Sequence, residues 1–118
     1  MTELRKLKIT PEKSDGANII FSLQGRSTNF PDNKPITINI EQDACYNVLL
    51  VCSGNLGNKA SVKLEAVHSK FGVYLCTPDG TPSWTGIGKL ETEIPNGESA
   101  SVVTSIISIR RKSDKPSS

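Results

Sequence analysis

The sequence predicts an all-β chain, an antiparallel sandwich of seven to eight strands. Three observations carry that expectation. Apolar and polar residues alternate with period two through most of the chain. The alternating runs are separated by clusters of Gly, Pro, Asn and Asp. No stretch places apolar residues at i, i+3, i+4 and i+7 together with a helix cap. At 118 residues the chain fits one domain with room for a real core, and an aromatic share of 5% leaves that core to Val, Ile and Leu.

The elements follow in order. In LKITP, Leu7 and Ile9 share a face. In NIIFSLQ, Ile19, Phe21 and Leu23 share one, with Ser22 and Gln24 opposite. ITINIE sets Ile36, Ile38 and Ile40 against Thr37, Asn39 and Glu41. YNVLLVCS is apolar on both faces, the pattern of a central strand covered on both sides. SVKLEAV returns to alternation with Val62, Leu64 and Ala66 inward. FGVYLC puts Phe71, Val73 and Leu75 on one face, Tyr74 and Cys76 on the other. GKLETEI reads as a short polar edge strand and SASVVTSIISIRR as a long final one. SDGAN, FPDNKP, SGNLGN, TPDGTPSWTG and IPNGES supply the turns, where Asp-Gly and Asn-Gly give the positive φ that tight hairpins require. Residues 1–112 form the single domain and 113–118 a polar tail expected to fray.

Two of these stretches, VLLVCSGNLGNKASVKLEAV and IPNGESASVVTSIISI, resemble immunoglobulin-like modules of bacterial and archaeal surface proteins, the adhesion-related (CARDB-like) and fibronectin-type sandwiches. Asn55, Gly57, Val62, Leu64, Pro95, Gly97, Glu98 and Ser99 carry the resemblance, which spans residues 48–109. It implies an immunoglobulin-like β-sandwich and says little about activity. The chain departs from antibody-type domains, because its one tryptophan, Trp84, sits in a Gly/Pro-rich stretch and not on a central strand.

Charge is nearly balanced, 14 basic against 12 acidic side chains for a formal +2, which gives no footprint for nucleic acid or membrane insertion. Basic residues gather at the two ends, Arg5, Lys6, Lys8 and Lys13 at one, Arg110, Arg111, Lys112 and Lys115 at the other. First and last strands of a sandwich can approach, so one basic patch could form; a solvated, pairing-resistant edge is the plainer expectation. MTELRKLKIT has no hydrophobic leader core, VLLV is far too short to span a bilayer, and no N-x-S/T sequon occurs. The expected compartment is therefore the cytoplasm, or the extracellular side if a leader has been trimmed. Of the three cysteines, an odd count leaves at least one thiol free or paired between chains. Cys52 and Cys76 read as small buried hydrophobes, with a Cys52–Cys76 or Cys45–Cys52 bridge as the alternative.

Catalytic motifs are missing. TGIGKLE lacks the spacing, the hydroxyl residue after Lys89 and the following helix of a phosphate loop. No serine stands in a G-x-S-x-G elbow, and His68, the single imidazole, follows a regular strand. Asp79 with Thr77 and Thr81, or Asp32 with Asn33, are turn formers without calcium-loop spacing, so neither metal nor cofactor is expected. The candidate binding surface is the loop 77–88 with Trp84, Asp79, Thr81 and Ile87: long connections on a rigid sandwich are often functional, and an indole is a common interface anchor. The opposing possibility is that Trp84 caps the core. The favoured function is a non-catalytic interaction or assembly module that binds another protein or its own copies. The alternative is a carbohydrate-binding sandwich using Trp84 and Tyr74 beside Asp79 and Asn96. A small Cys-dependent redox protein using Cys45 or Cys76 comes third.

Overall fold

Period-two alternation folds into two antiparallel sheets. The computed structural model describes residues 3–13, 16–24, 26–29 and 34–114, with only the backbone described over 26–29. Asp32, Asn33, Lys115 and the end of the tail lie outside the described residues. The strands are β1 (Leu4–Lys13), β2 (Asn18–Leu23), β3 (Arg26–Asn29), β4 (Ile36–Glu41), β5 (Tyr46–Ser53), β6 (Lys59–Ala66), β7 (Phe71–Cys76), β8 (Pro82–Gly86), β9 (Lys89–Glu93) and β10 (Ala100–Arg111), followed by a 3-10 turn at Lys112–Asp114.

One sheet has four strands in the order β4-β1-β6-β9, the other six in the order β3-β2-β5-β10-β7-β8. Ten described strands exceed the seven to eight expected, and the two unforeseen ones are β3 and β8. Both are sheet edges. An edge strand can hold its place through one ladder without a strong apolar face: RSTN has no apolar residue, and the short alternation of PSWTG rests on Trp84 alone among turn-forming prolines and glycines. β1 and β2 lie in different sheets, with β1 between β4 and β6.

Pro11 sits inside β1 because of where β4 stops. The Leu64 N–H donates to Gly88, on the side of β6 away from β1. Its partner Ile9, and Pro11 with it, therefore aim their main-chain polar groups at β4. Pro11 lies two residues past the last β1–β4 pair, Ile9↔Ile36, so its missing N–H breaks no ladder bond there.

The inner faces meet as the alternation requires. Leu7, Ile9, Ile40, Val62 and Leu64 come from the four-stranded sheet; Phe21, Val48, Leu50, Ile107 and Ile109 come from the six-stranded one, and all are buried. Burial of each such side chain contributes about 1.5–3 kcal/mol. The two Gly/Asn turns of the sequence close on each other. Gly57 N–H donates to Ile94 O at 3.2 Å, Ile94 N–H to Asn58 O at 3.0 Å and Gly54 N–H to Ser99 O at 3.0 Å. Asn58 Oδ1 accepts from Asn55 N–H at 2.7 Å, and an added Cβ on Gly54 would strike that oxygen, so position 54 needs glycine.

The cysteines pair differently from either bridge weighed on the sequence. Cys45 and Cys76 form a disulfide with Cα atoms 6.5 Å apart, and Cys52 is free and buried. The cause is strand parity. Cys52 points into the core from β5, whereas Cys76 lies on the outer face of β7, opposite to Phe71 and Val73. Cys76 is therefore half-buried rather than a core thiol, and it meets the β4–β5 connection instead.

Reduction should lower stability by about 3–4 kcal/mol, the loop-closure entropy for a separation of 31 residues, seen as a drop in urea midpoint on adding reductant. The Cys52 thiol, which burial pushes above its ordinary value, should react with a thiol reagent only after unfolding. The folded chain keeps that proton where the unfolded chain sheds it, so stability should fall as pH rises past the ordinary thiol range, and Cys52→Ala should remove that slope.

Candidate binding surface on the six-stranded sheet

The parity that drives Phe71, Val73, Ile107 and Ile109 inward sends Tyr74, Cys76, Ser108 and Arg110 to the outer face. There Tyr74 opposes Ser108 and Gly72 opposes Arg110. Gly72 leaves room for the Tyr74 ring, whose atoms lie 3.1–3.3 Å from where a Cβ would be. Tyr74 is buried against Trp84, edge to face at 5.4 Å and 65°. Trp84 is half-buried and holds a left-handed backbone (φ 59) beside the bulge in the β7–β8 pairing. For a bulky residue that conformation costs about 1–2 kcal/mol, which the ring contacts must offset.

Arg110 ties this cluster together. Its Nε donates to Ser108 Oγ at 2.8 Å, and its Nη2 donates to the Asp43 carbonyl at 3.0 Å. The same guanidinium stands 6.0 Å over the Trp84 ring and 3.9 Å from Cys45 Sγ. Asp43 N–H donates in turn to Ile109 O at 2.9 Å, so the connection bearing Cys45 is anchored on β10 from both sides. Trp84 therefore lids an outer cluster of Tyr74, Arg110 and the disulfide rather than the core between the sheets.

The other residues of the expected loop separate. Asp79 and Thr81 meet in an exposed turn. The Asp79 carboxylate accepts from the Thr77 hydroxyl and from Thr81 N–H at 3.0 Å, and these bonds, the Thr77 one first, hold its pKa below the usual value. Ile87 instead packs against the core, its N–H donating to Val73 O at 3.0 Å. Pro82–Gly86 of the stretch read as loop is β8 itself. Lys89 is engaged by Glu91 at 3.1 Å and Glu12 at 3.9 Å, and the Glu91 carboxylate raises its pKa, so the TGIGK stretch is an ordinary edge. The Tyr74 and Trp84 rings meet edge on with Tyr74 buried, which leaves no pair of open ring faces.

Sequence reasoning missed a second feature of this face. Register aligns Ile20, Val51 and Val102 across β2, β5 and β10, and next to them Ser22, Leu49 and Thr104. Ile20 is 40% and Val102 56% exposed, while Leu49, Val51 and Ile106 are half-buried. A depression of about 500 Å³ opens over Ser22, Asn47, Leu49, Thr104 and Ile106. The signal was present in YNVLLVCS, apolar on both faces, yet among the described residues no layer covers its outer side. Comparison with family models, curated proteins and solved structures finds no match.

Gly72→Ala should push the Tyr74 ring off its seat at a cost of about 1–3 kcal/mol. The accompanying change in Trp84 fluorescence of the folded protein would report that the two rings move together; an unaltered spectrum would break the link between them.

Proposed function

We propose that this chain is a non-catalytic β-sandwich module that binds another protein, or its own copies, through the outer face of the six-stranded sheet. The carrying observation is the open apolar row Ile20–Val51–Val102 with Leu49 and Ile106 beside it. An antiparallel sheet normally turns polar residues to water, and a contiguous apolar patch marks an interaction site. Trp84 and the Asp79–Thr81 turn belong to the β7–β8 side of the same sheet, where a half-buried indole beside an arginine suits a protein contact. The buried Tyr74 favours a protein partner over a sugar, which needs exposed aromatic platforms. His68, the single histidine, lies in an exposed turn with Nδ1 accepting from Lys70 N–H, which supports a role without catalysis.

The immunoglobulin-like reading is supported by the two antiparallel layers. The strand order follows its own course, since β1 does not pair with a strand adjacent in sequence. The Cys45–Cys76 bond favours an oxidising compartment over the cytoplasm first expected.

Val102→Lys and Ile20→Lys test the surface. Both positions are exposed, so stability should change by less than about 0.5 kcal/mol. Self-association in sedimentation velocity, or capture of a protein partner, should be lost in both. Association equal to wild type in both variants would sink the proposal.

A further inference from the structure

We infer that a second site lies at the end of the sandwich where β1 meets the end of β10, and that it takes a phosphate or sulfate group. Here a cavity of about 590 Å³ is lined by Arg5, His68, Lys70, Phe71, Arg111 and Ser113. The two basic ends of the sequence come together over one buried ring: the Arg5 guanidinium carbon is 4.2 Å and that of Arg111 5.9 Å from the Phe71 centroid. Each arginine comes from a different sheet.

Attraction to the ring gathers both cations, but it also sets like charges side by side, and a dianion in the cavity would turn that repulsion into attraction. The donors around it are incompletely used. Arg5 spends Nε on Gln42 Oε1 at 2.9 Å and Nη2 on Glu3, whose carboxylate is itself mostly exposed and displaceable. Arg111 has no carboxylate partner among the described residues. His68 Nδ1 accepts from Lys70 N–H at 3.1 Å, which leaves the proton of the neutral ring on Nε2 as a further donor. Ser113 adds a hydroxyl and Lys70 an ammonium. With Lys6, Arg110 and Lys112 nearby in sequence, six formal cations stand on these segments against Glu3 and Asp114. The overall +2 conceals this concentration.

Donors converge from β1, from the β6–β7 turn and from the end of β10. A carboxylate, with two oxygens on one edge, would engage one guanidinium; a tetrahedral oxyanion offers acceptors in all three directions. Phe71 is buried under Arg5 and offers no free face to a base, which argues against single-stranded nucleic acid.

Titration of the full chain, followed by NMR at fixed neutral pH and matched ionic strength, tests this with inorganic phosphate, inorganic sulfate, glycerol 3-phosphate and chloride. His68 and Phe71 ring resonances should shift saturably with phosphate or sulfate and not with chloride. Arg111→Gln, at an exposed position, should weaken binding about tenfold or more. Lys13→Gln removes the same charge at the opposite end of β1 and should change it less than about twofold. Tighter binding of glycerol 3-phosphate than of the inorganic ions would assign an ester ligand, and the reverse a free ion; both support the site. Shifts that never saturate, or equal losses in Lys13→Gln and Arg111→Gln, would overturn it.

Discussion

The constraint on which most of this molecule depends is the double pairing of β10. Its 12 residues pair with β5 from Ala100 to Ile107 and with β7 from Ile107 to Arg111, which makes one strand the spine of the six-stranded sheet. Its inward parity places Ile107 and Ile109 in the core, and its outward parity delivers Ser108 and Arg110 to the Trp84 cluster. A slip of one residue would bring Arg110 into the core and Ile109 into water, so the apolar core and the outer cluster enforce the same register.

Inner faces were legible from the sequence because period two has one meaning wherever a strand has a buried side. Ile19, Phe21 and Leu23, or Leu7 and Ile9, needed only that rule. Its silence at β3 has the same origin, since an edge strand can keep its place with little apolar contrast, whereas at β8 the short alternation around Trp84 is masked by flanking prolines and glycines. The disulfide was not legible, because Cys45 and Cys76 become neighbours only once β7 is laid beside β10 and the Asp43 connection is tied down. Ile87 shows the opposite failure. Surrounded by glycines it read as part of a binding loop, yet it packs on the core just after β8. The meeting of the two basic ends was foreseen as a possibility, but Phe71 as its centre was not, because ring contacts leave no mark on local periodicity.

The sheet edges help to explain why the surface proposed for association is an open face rather than an open edge. β9 carries Lys89, Glu91 and Glu93 along its length, with Lys89 paired to Glu91 and Glu12. β8 begins with proline, is bulged against β7 and turns left-handed at Trp84, all of which spoil a flat template for another strand. The proposed association through the row of Ile20, Val51 and Val102 would need no main-chain pairing and would avoid the extended stacking that edge contacts invite.

Strand order also sets the sequence of events during synthesis. Among the described strands only β2–β3 and β7–β8 join neighbours in the chain through pairing, while β5 must wait for β10, the last of the ten described strands to emerge. Until then Val48, Leu50 and Cys52 on one side and Leu49 and Val51 on the other are presented by a strand with a vacant flank. Closing such distant contacts makes folding slow, and a vacant apolar strand is where newly made chains capture one another. Yield in a cell would thus be governed by how soon β10 arrives, even though the finished sandwich is well packed.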